Sequence, residues 1–267
     1  MDTFIKKKSL GQHFLNDANI AAKIAAMGSI EKGDIVLEIG PGTGFLTREL
    51  LALGATVVAV EADTRAIDVL NESFASEVKA GALIIHSNDI REVSFNDLGL
   101  VHGQFKIISN IPYYISGLLF RLALSGENKP SRVVFLVQKE VAERIVRSKK
   151  ESLLSLSIKV YGDPSYAFTV RRGSFTPSPK VDSAVVVISA ISRTRLGELS
   201  DEDFFEVLRH GFASRRKQLF GCLKGTYTEE QIIQAFTTMG IGRKARGEDL
   251  SIDMWIGLAK SLVIAAI

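Results

Sequence analysis

The chain has 267 residues, 46% hydrophobic and 24% charged, with a formal net charge of +3. This composition supplies a buried core and excludes a disordered or collagen-like chain, and the weak positive balance permits a polyanion partner without requiring one. One cysteine, Cys222, excludes an intramolecular disulfide, and with only four histidines no metal-ligand cluster is expected. There is no signal-peptide pattern and no run of about 18 apolar residues, so the expectation is a soluble cytoplasmic protein without a membrane span.

In chain order, Lys6, Lys7 and Lys8 form a basic cluster, either a solvated tail or an arm that meets phosphates. Residues 9–15 mix glycine, amides and apolar side chains without periodicity and read as a loop. Asn16 or Asp17 caps a helix through Met27, ended by Gly28. The short apolar run 35–39, bounded by Gly33 and Gly40, suits a strand covered on both faces. Gly40, Gly42 and Gly44 then leave little side-chain bulk, so a ligand can lie against the backbone. Leu46, Leu50, Leu51 and Leu53 give a helical stripe with Gly54 at its C-cap. A dinucleotide fold has G-x-G-x-x-G, but Phe45 stands at its third glycine, and Glu38 lies just ahead of the turn. The arrangement suits a cationic ligand without phosphate. It resembles the first motif of S-adenosylmethionine (SAM) dependent methyltransferases, E-x-G-x-G-x-G. A tight strand-helix turn that binds nothing is the alternative.

Residues 55–61 read as a second strand ending in an acid. Glu61 lies about 20 residues beyond the first glycine, where nucleotide folds place a carboxylate for ribose hydroxyls; a surface glutamate at a strand end is the other reading. After a helix over 65–74 and a third strand over 82–86, Asp89 stands just past a strand's carboxyl end. There it can accept from an adenine amino group, or simply turn the chain. A fourth strand, 105–109, runs into Asn110-Ile111-Pro112-Tyr113-Tyr114. Pro112 stiffens this turn, Asn110 offers a carbonyl acceptor, and Tyr113 offers a flat ring. The set suits a flat base with an exocyclic amine, although a rigid turn with a buried tyrosine fits the same residues. A fifth strand (132–138), a charged helix (139–147) and a further helix (152–161) follow. Two last strands, 165–170 and 184–188, lack a crossover helix and should pair antiparallel. Their long loop sets Phe175 among Arg171, Arg172 and Lys180 with Pro177 and Pro179. That loop suits an unstacked base with its phosphates, or is only proline-braced. The alternation of strand and helix through residue 138 argues a doubly wound, mostly parallel sheet.

From Ser192 the strand patterns stop. Ser200 caps a helix with Asp201, Glu202 and Asp203 in its first turn, and Phe205, Leu208, Phe212 and Leu219 mark its apolar side. Arg209, Arg215, Arg216 and Lys217 load its later turns. Thr228 and Gln231 make a capping box for a helix ending near Gly240, and Arg243, Lys244 and Arg246 form a basic loop before a last helix over 251–264. These cations complement helix dipoles or meet RNA phosphates.

Several of these stretches together carry a resemblance to one family. They are Ser9-Leu10-Gly11-Gln12-His13-Phe14-Leu15, Glu38-Ile39-Gly40-Pro41-Gly42-Thr43-Gly44, Glu61, Asp89, Asn110-Ile111-Pro112-Tyr113, Phe175-x-Pro177-x-Pro179-Lys180-Val181-x-Ser183 and Phe212-Ala213-Ser214-Arg215-Arg216-Lys217. Nearly end to end, the chain resembles the ribosomal RNA adenine N6-dimethyltransferases of bacterial small-subunit biogenesis, whose plan the macrolide-resistance rRNA methyltransferases share. The resemblance implies an α/β fold, a Rossmann-like SAM-dependent methyltransferase domain at 1–191. Its mostly parallel seven-stranded sheet ends in an antiparallel hairpin and is followed by a small all-α RNA-binding domain at 192–267. It implies SAM as methyl donor, without a metal, held by His13, Leu15, Gly40, Glu61, Asp89 and Asn110. His13 stands where many relatives have Asn, and so does Tyr114. In the implied chemistry Tyr113 and Phe175 sandwich a flipped adenine while the Asn110 amide oxygen accepts an N6 N–H. The implied product is two adjacent dimethylated adenosines in the 3′-terminal hairpin of 16S rRNA, made by a monomer acting on the immature small ribosomal subunit. Two other classes compete: a catalytically silent RNA-binding assembly factor that keeps SAM as a structural ligand, and a small-molecule methyltransferase, against which the basic helical tail speaks.

Overall fold

The computed structural model describes residues 13–214 and 216–264. The basic cluster at 6–8, Gln12 and Arg215 lie outside the described residues. A short strand β1 (Phe14–Leu15) precedes α1 (Ala18–Ala26). The Asp17 carboxylate accepts from the Asn19 and Ile20 N–H groups at 3.0 and 3.2 Å, which satisfies two otherwise unpaired donors of α1. The expected glycine stop at Gly28 takes a different form. The C-cap is Met27, and the left-handed residue is Ser29, at φ +48°. Gly28 is needed for space, because a Cβ there would stand 2.3 Å from Ile108 Cδ1.

The further strands are β2 (Ile35–Ile39), β3 (Thr56–Glu61), β4 (Leu83–Ser87), β5 (Phe105–Asn110), β6 (Arg132–Gln138), β7 (Asp163–Val170), β8 (Phe175–Thr176) and β9 (Ser183–Ser189). The helices are α2 (Phe45–Ala52), α3 (Thr64–Ser73), α4 (Ala75–Lys79), α5 (Ser116–Ser125), α6 (Lys139–Val146), α7 (Leu153–Lys159), α8 (Asp201–Gly211), α9 (Leu219–Leu223), α10 (Glu229–Met239) and α11 (Ile252–Ile264). Among the described residues, none is long and apolar enough to cross a membrane.

Seven strands form one sheet in the order β4-β3-β2-β5-β6-β9-β7. β2 through β6 pair in parallel, and β9 runs antiparallel to β6. Residues 133–137 of β6 are all buried, as a strand covered on both faces must be. β7, at the edge, alternates exposed and half-buried positions. From β2 the chain builds outward through β3 and β4, then returns to lay β5 and β6 on the opposite side. The direction of winding reverses between β2 and β5, and a crevice opens at the carboxyl ends of those two strands. Gly40 follows one of these ends and Asn110 closes the other, so the topology itself sets them side by side.

A second, two-stranded sheet pairs β1 with β8, with Leu15 opposite Phe175 and Phe14 opposite Thr176. Each strand is only two residues long, too short to show a period, and both read from sequence as loops.

The chain divides into two compact units. One takes the residues up to Glu143 together with Pro164–Ile191, and the other takes Arg144–Asp163 together with the chain from Ser192 onward. The break after Ile191 falls where composition changes, but Arg144–Asp163 groups with the C-terminal helices and not with the sheet. The second unit is centred on Trp255, which is fully buried, donates from Nε1 to Gly247 O at 3.1 Å and stacks on Phe212 at 5.5 Å. Phe204, Val207, Leu208 and Gly211 are the buried face of α8. The expected stripe therefore changes: Phe205 is half-buried, Phe212 caps the helix, and Leu219 opens α9. The capping box of Thr228 and Gln231 on α10 is present, with Gly240 left-handed at φ +63°.

Candidate active site

The glycine turn between β2 and α2 needs each of its glycines. Gly40, Gly42 and Gly44 have φ of +65°, +57° and +81°, a region that side chains rarely occupy. At two of them a Cβ would also collide, 2.7 Å from the Phe14 ring at Gly42 and 2.4 Å from the Phe74 ring at Gly44. Gly40 differs, because a Cβ there would meet nothing within 4 Å. Gly40 lines a cavity of about 150 Å³ that opens to solvent.

That cavity brings together most of the residues named from sequence. Gly40, Glu61, Asp89 and Asn110 line it, with His13, Leu15 and Tyr113. Glu61 is 6% exposed, and its carboxylate accepts from Gly42 N–H at 3.1 Å and Asp63 N–H at 2.9 Å. Burial pushes its pKa up, and these N–H groups oppose the shift. Asp89 is bound by Arg91, with Nη2 to Oδ2 at 2.5 Å and Nε to Oδ1 at 2.9 Å, which holds its carboxyl below the usual range. The Asn110 amide donates from Nδ2 to His13 O at 3.2 Å, and its Oδ1 has no protein partner among the described residues. The Pro112 carbonyl accepts from Ile115 N–H at 3.3 Å, and Ile111 lines the cavity beside it. Tyr113 shares a hydrogen bond of 2.6 Å with the Ser183 hydroxyl, and His13 stacks on its ring at 5.7 Å. His13 Nδ1 in turn bonds Pro177 O at 2.7 Å.

Phe175 is not brought into this cavity. Its ring is 3% exposed, within the hydrophobic core that includes Leu15 and Ile24, so it is no exposed platform for a base. The prolines and arginines around it in sequence suggested a presented ring, whereas pairing of β8 with β1 turns it inward. Three features of the site had no clear sequence signal. Arg91 follows Asp89 by two residues, a spacing common in turns. Ser183 was legible only as the last residue of the Phe-x-Pro-x-Pro-Lys-Val-x-Ser motif. The third is the state of Glu38, which is 2% exposed and accepts from the Thr47 hydroxyl at 2.6 Å. Burial, reinforced by Glu61 nearby and opposed by Thr47, pushes its pKa up to about 8. Glu38 is thus held mostly protonated at neutral pH.

Comparison with known proteins identifies the family. The family described as ribosomal RNA adenine dimethylase matches residues 3–263. The ribosomal RNA small subunit methyltransferase A of Dehalococcoides mccartyi is 39% identical over 256 residues, covering 95% of this chain and 87% of that protein. A dimethyladenosine transferase structure from Plasmodium falciparum aligns with a TM-score of 0.79 at 25% identity, over 96% of this chain and 99% of its own. The 23S rRNA methyltransferase ErmE has the same fold, with a TM-score of 0.73 at 23% identity over 94% of this chain and 99% of its own. A family match over residues 3–263, with a relative 39% identical across 95% of the chain, places this chain in the ribosomal RNA adenine dimethylase family.

Proposed function

We propose that this protein uses SAM to dimethylate N6 of two adjacent adenosines in the 3′-terminal hairpin of 16S rRNA, on the immature small ribosomal subunit in the cytoplasm. Membership of its family makes it an rRNA adenine dimethyltransferase; the donor, the residue roles and the subunit are the proposed part. One observation carries the reading: at the switch point of the sheet, bare backbone at Gly40 and Asn110, whose Oδ1 has no protein partner among the described residues, line the same cavity.

The residues present fit such a donor. Gly40 lets a ligand approach the backbone, and Glu61 retains acceptor capacity for ribose hydroxyls after its two N–H contacts. Leu15 gives an apolar wall, and Asp89, fixed by Arg91, gives an acceptor for an adenine amino group. SAM, when bound, supplies a methyl group already activated by its cationic sulfur. The protein's task is therefore to prepare the nucleophile. The amino lone pair of adenine is delocalised into the ring, which makes N6 a poor nucleophile. Asn110 Oδ1 and the Ile111 carbonyl would accept hydrogen bonds from the amino group and favour an sp³-like nitrogen, and the proton lost from N6 after transfer passes to solvent. Tyr113, backed by His13 and tied to Ser183, offers its remaining face to the flipped base. Orientation of this kind supplies up to roughly 7–11 kcal/mol of a barrier. Phe175 has no direct part; it holds β8 against β1 and so steadies His13 and Leu15.

Labelled SAM is incubated with undermethylated small subunits, and the RNA is digested to nucleosides. Dimethyladenosine is the expected product. Its absence, with SAM bound, would favour a silent assembly factor. Asn110→Ala should cut methyl transfer by roughly 10²-fold or more, by analogy with the loss of one preorganised polar group, while RNA affinity changes little. Equal losses in both assays would remove Asn110 from the chemistry.

A further inference from the structure

The interior of the cavity presents Tyr113, but its mouth carries a different surface. Tyr114 is 68% exposed and Phe45 is 39% exposed, and both line the opening. Tyr113 and Tyr114 are consecutive on a single 3-10 turn, Tyr113–Ile115. Successive side chains on such a turn diverge by about 120°. Tyr113 is accordingly held inward by His13 and Ser183, while Tyr114 stands in solvent.

Arg91 lies on the same rim, its side chain 55% exposed. Asp89 grips it through both Nε and Nη2, which fixes the guanidinium plane and offsets its charge. Tyr114 lines the same opening as that guanidinium. A neutralised, immobilised guanidinium is poorly suited to attracting phosphate, but its flat face is suited to stacking. An exposed ring and a fixed guanidinium on one rim make the kind of surface on which an unpaired base rests.

We propose that Tyr114 and Arg91 form a stacking site, outside the cavity, for the nucleobase adjacent to the target adenine. The proposal rests on the methyltransferase reading. If one adenine of an adjacent pair is drawn into the cavity, its neighbour loses a stacking partner at that step. A shelf one residue along from Tyr113 replaces that partner, so an adjacent pair of bases is recognised together.

Full-length Tyr114→Ala and Tyr114→Phe are compared with the unaltered protein on undermethylated small subunits. KM for the subunit and kcat are measured separately, and SAM affinity is measured by calorimetry. The expected result for Tyr114→Ala is a rise in KM of roughly tenfold or more, the loss of one stacked base, with kcat and SAM affinity retained. Tyr114→Phe keeps the ring and restores KM. An unchanged KM in Tyr114→Ala overturns the proposal. So does a parallel loss of SAM affinity, which would assign Tyr114 to the donor pocket. A Tyr114→Phe variant as impaired as Tyr114→Ala overturns stacking in favour of the hydroxyl. Absence of methyl transfer by the unaltered protein would defeat the methyltransferase reading itself.

Discussion

Glu38→Gln isolates the buried acid behind the glycine turn. The substitution replaces a neutral acid by a neutral amide of the same shape, and the Thr47 hydroxyl keeps an oxygen to which it can donate. In the native protein Glu38 titrates at about 8, against 4.5 when unperturbed. Between these values the folded state binds one proton more than the unfolded state. The stability held by that proton is complete below the unfolded pKa and is lost as pH rises toward the folded one. The slope is about 1.4 kcal/mol per pH unit, so about 3 kcal/mol separates pH 5 from pH 7.5. The glutamine variant has no such titration. Its unfolding free energy relative to the unaltered protein should therefore rise by about that amount over the same interval and level off above pH 8. Urea unfolding at a series of pH values, followed by far-UV circular dichroism with the m-value checked, gives the difference directly. A difference independent of pH would mean that Glu38 is ionised in the folded protein, and the electrostatic account of the turn would fail.

Gly40→Ala places a side chain at φ +65° and into the cavity. It should cost about 1–2 kcal/mol of stability and weaken SAM binding by more than that strain explains, as read by calorimetry against the denaturation midpoint. Phe175→Ala should destabilise by about 3–5 kcal/mol, because the ring is core; a variant of normal stability but reduced methyl transfer would restore Phe175 to the site. Arg215→Ala with Arg216→Ala should weaken RNA binding and lower its salt slope by about 1 for each phosphate left without its cation; an unchanged slope takes these residues off the RNA face.

The part of the site that was legible in the sequence is the part made by local backbone demands. Alternate glycines, an acid at the next strand's end and a proline-stiffened Asn-Tyr turn each declare themselves within a few residues. The unbroken apolar run of β6 and the caps at Asp17, Ser200 and Thr228 are local in the same sense. From such pieces the parallel sheet follows, and with it the crevice where Gly40 and Asn110 meet.

What only the tertiary structure decided depends on the meeting of distant segments or on burial. The two-residue strands β1 and β8 acquire a partner only when distant segments of the domain come together, and that pairing buries Phe175, for which the sequence allowed either a presented ring or a proline-braced loop. The proton on Glu38 is set by exclusion of water and by the carboxylate of Glu61 on the neighbouring strand; a string of residues carries no dielectric. The outward turn of Tyr114 beside an inward Tyr113 likewise comes from packing, since the two are the same residue type and differ only in what surrounds them.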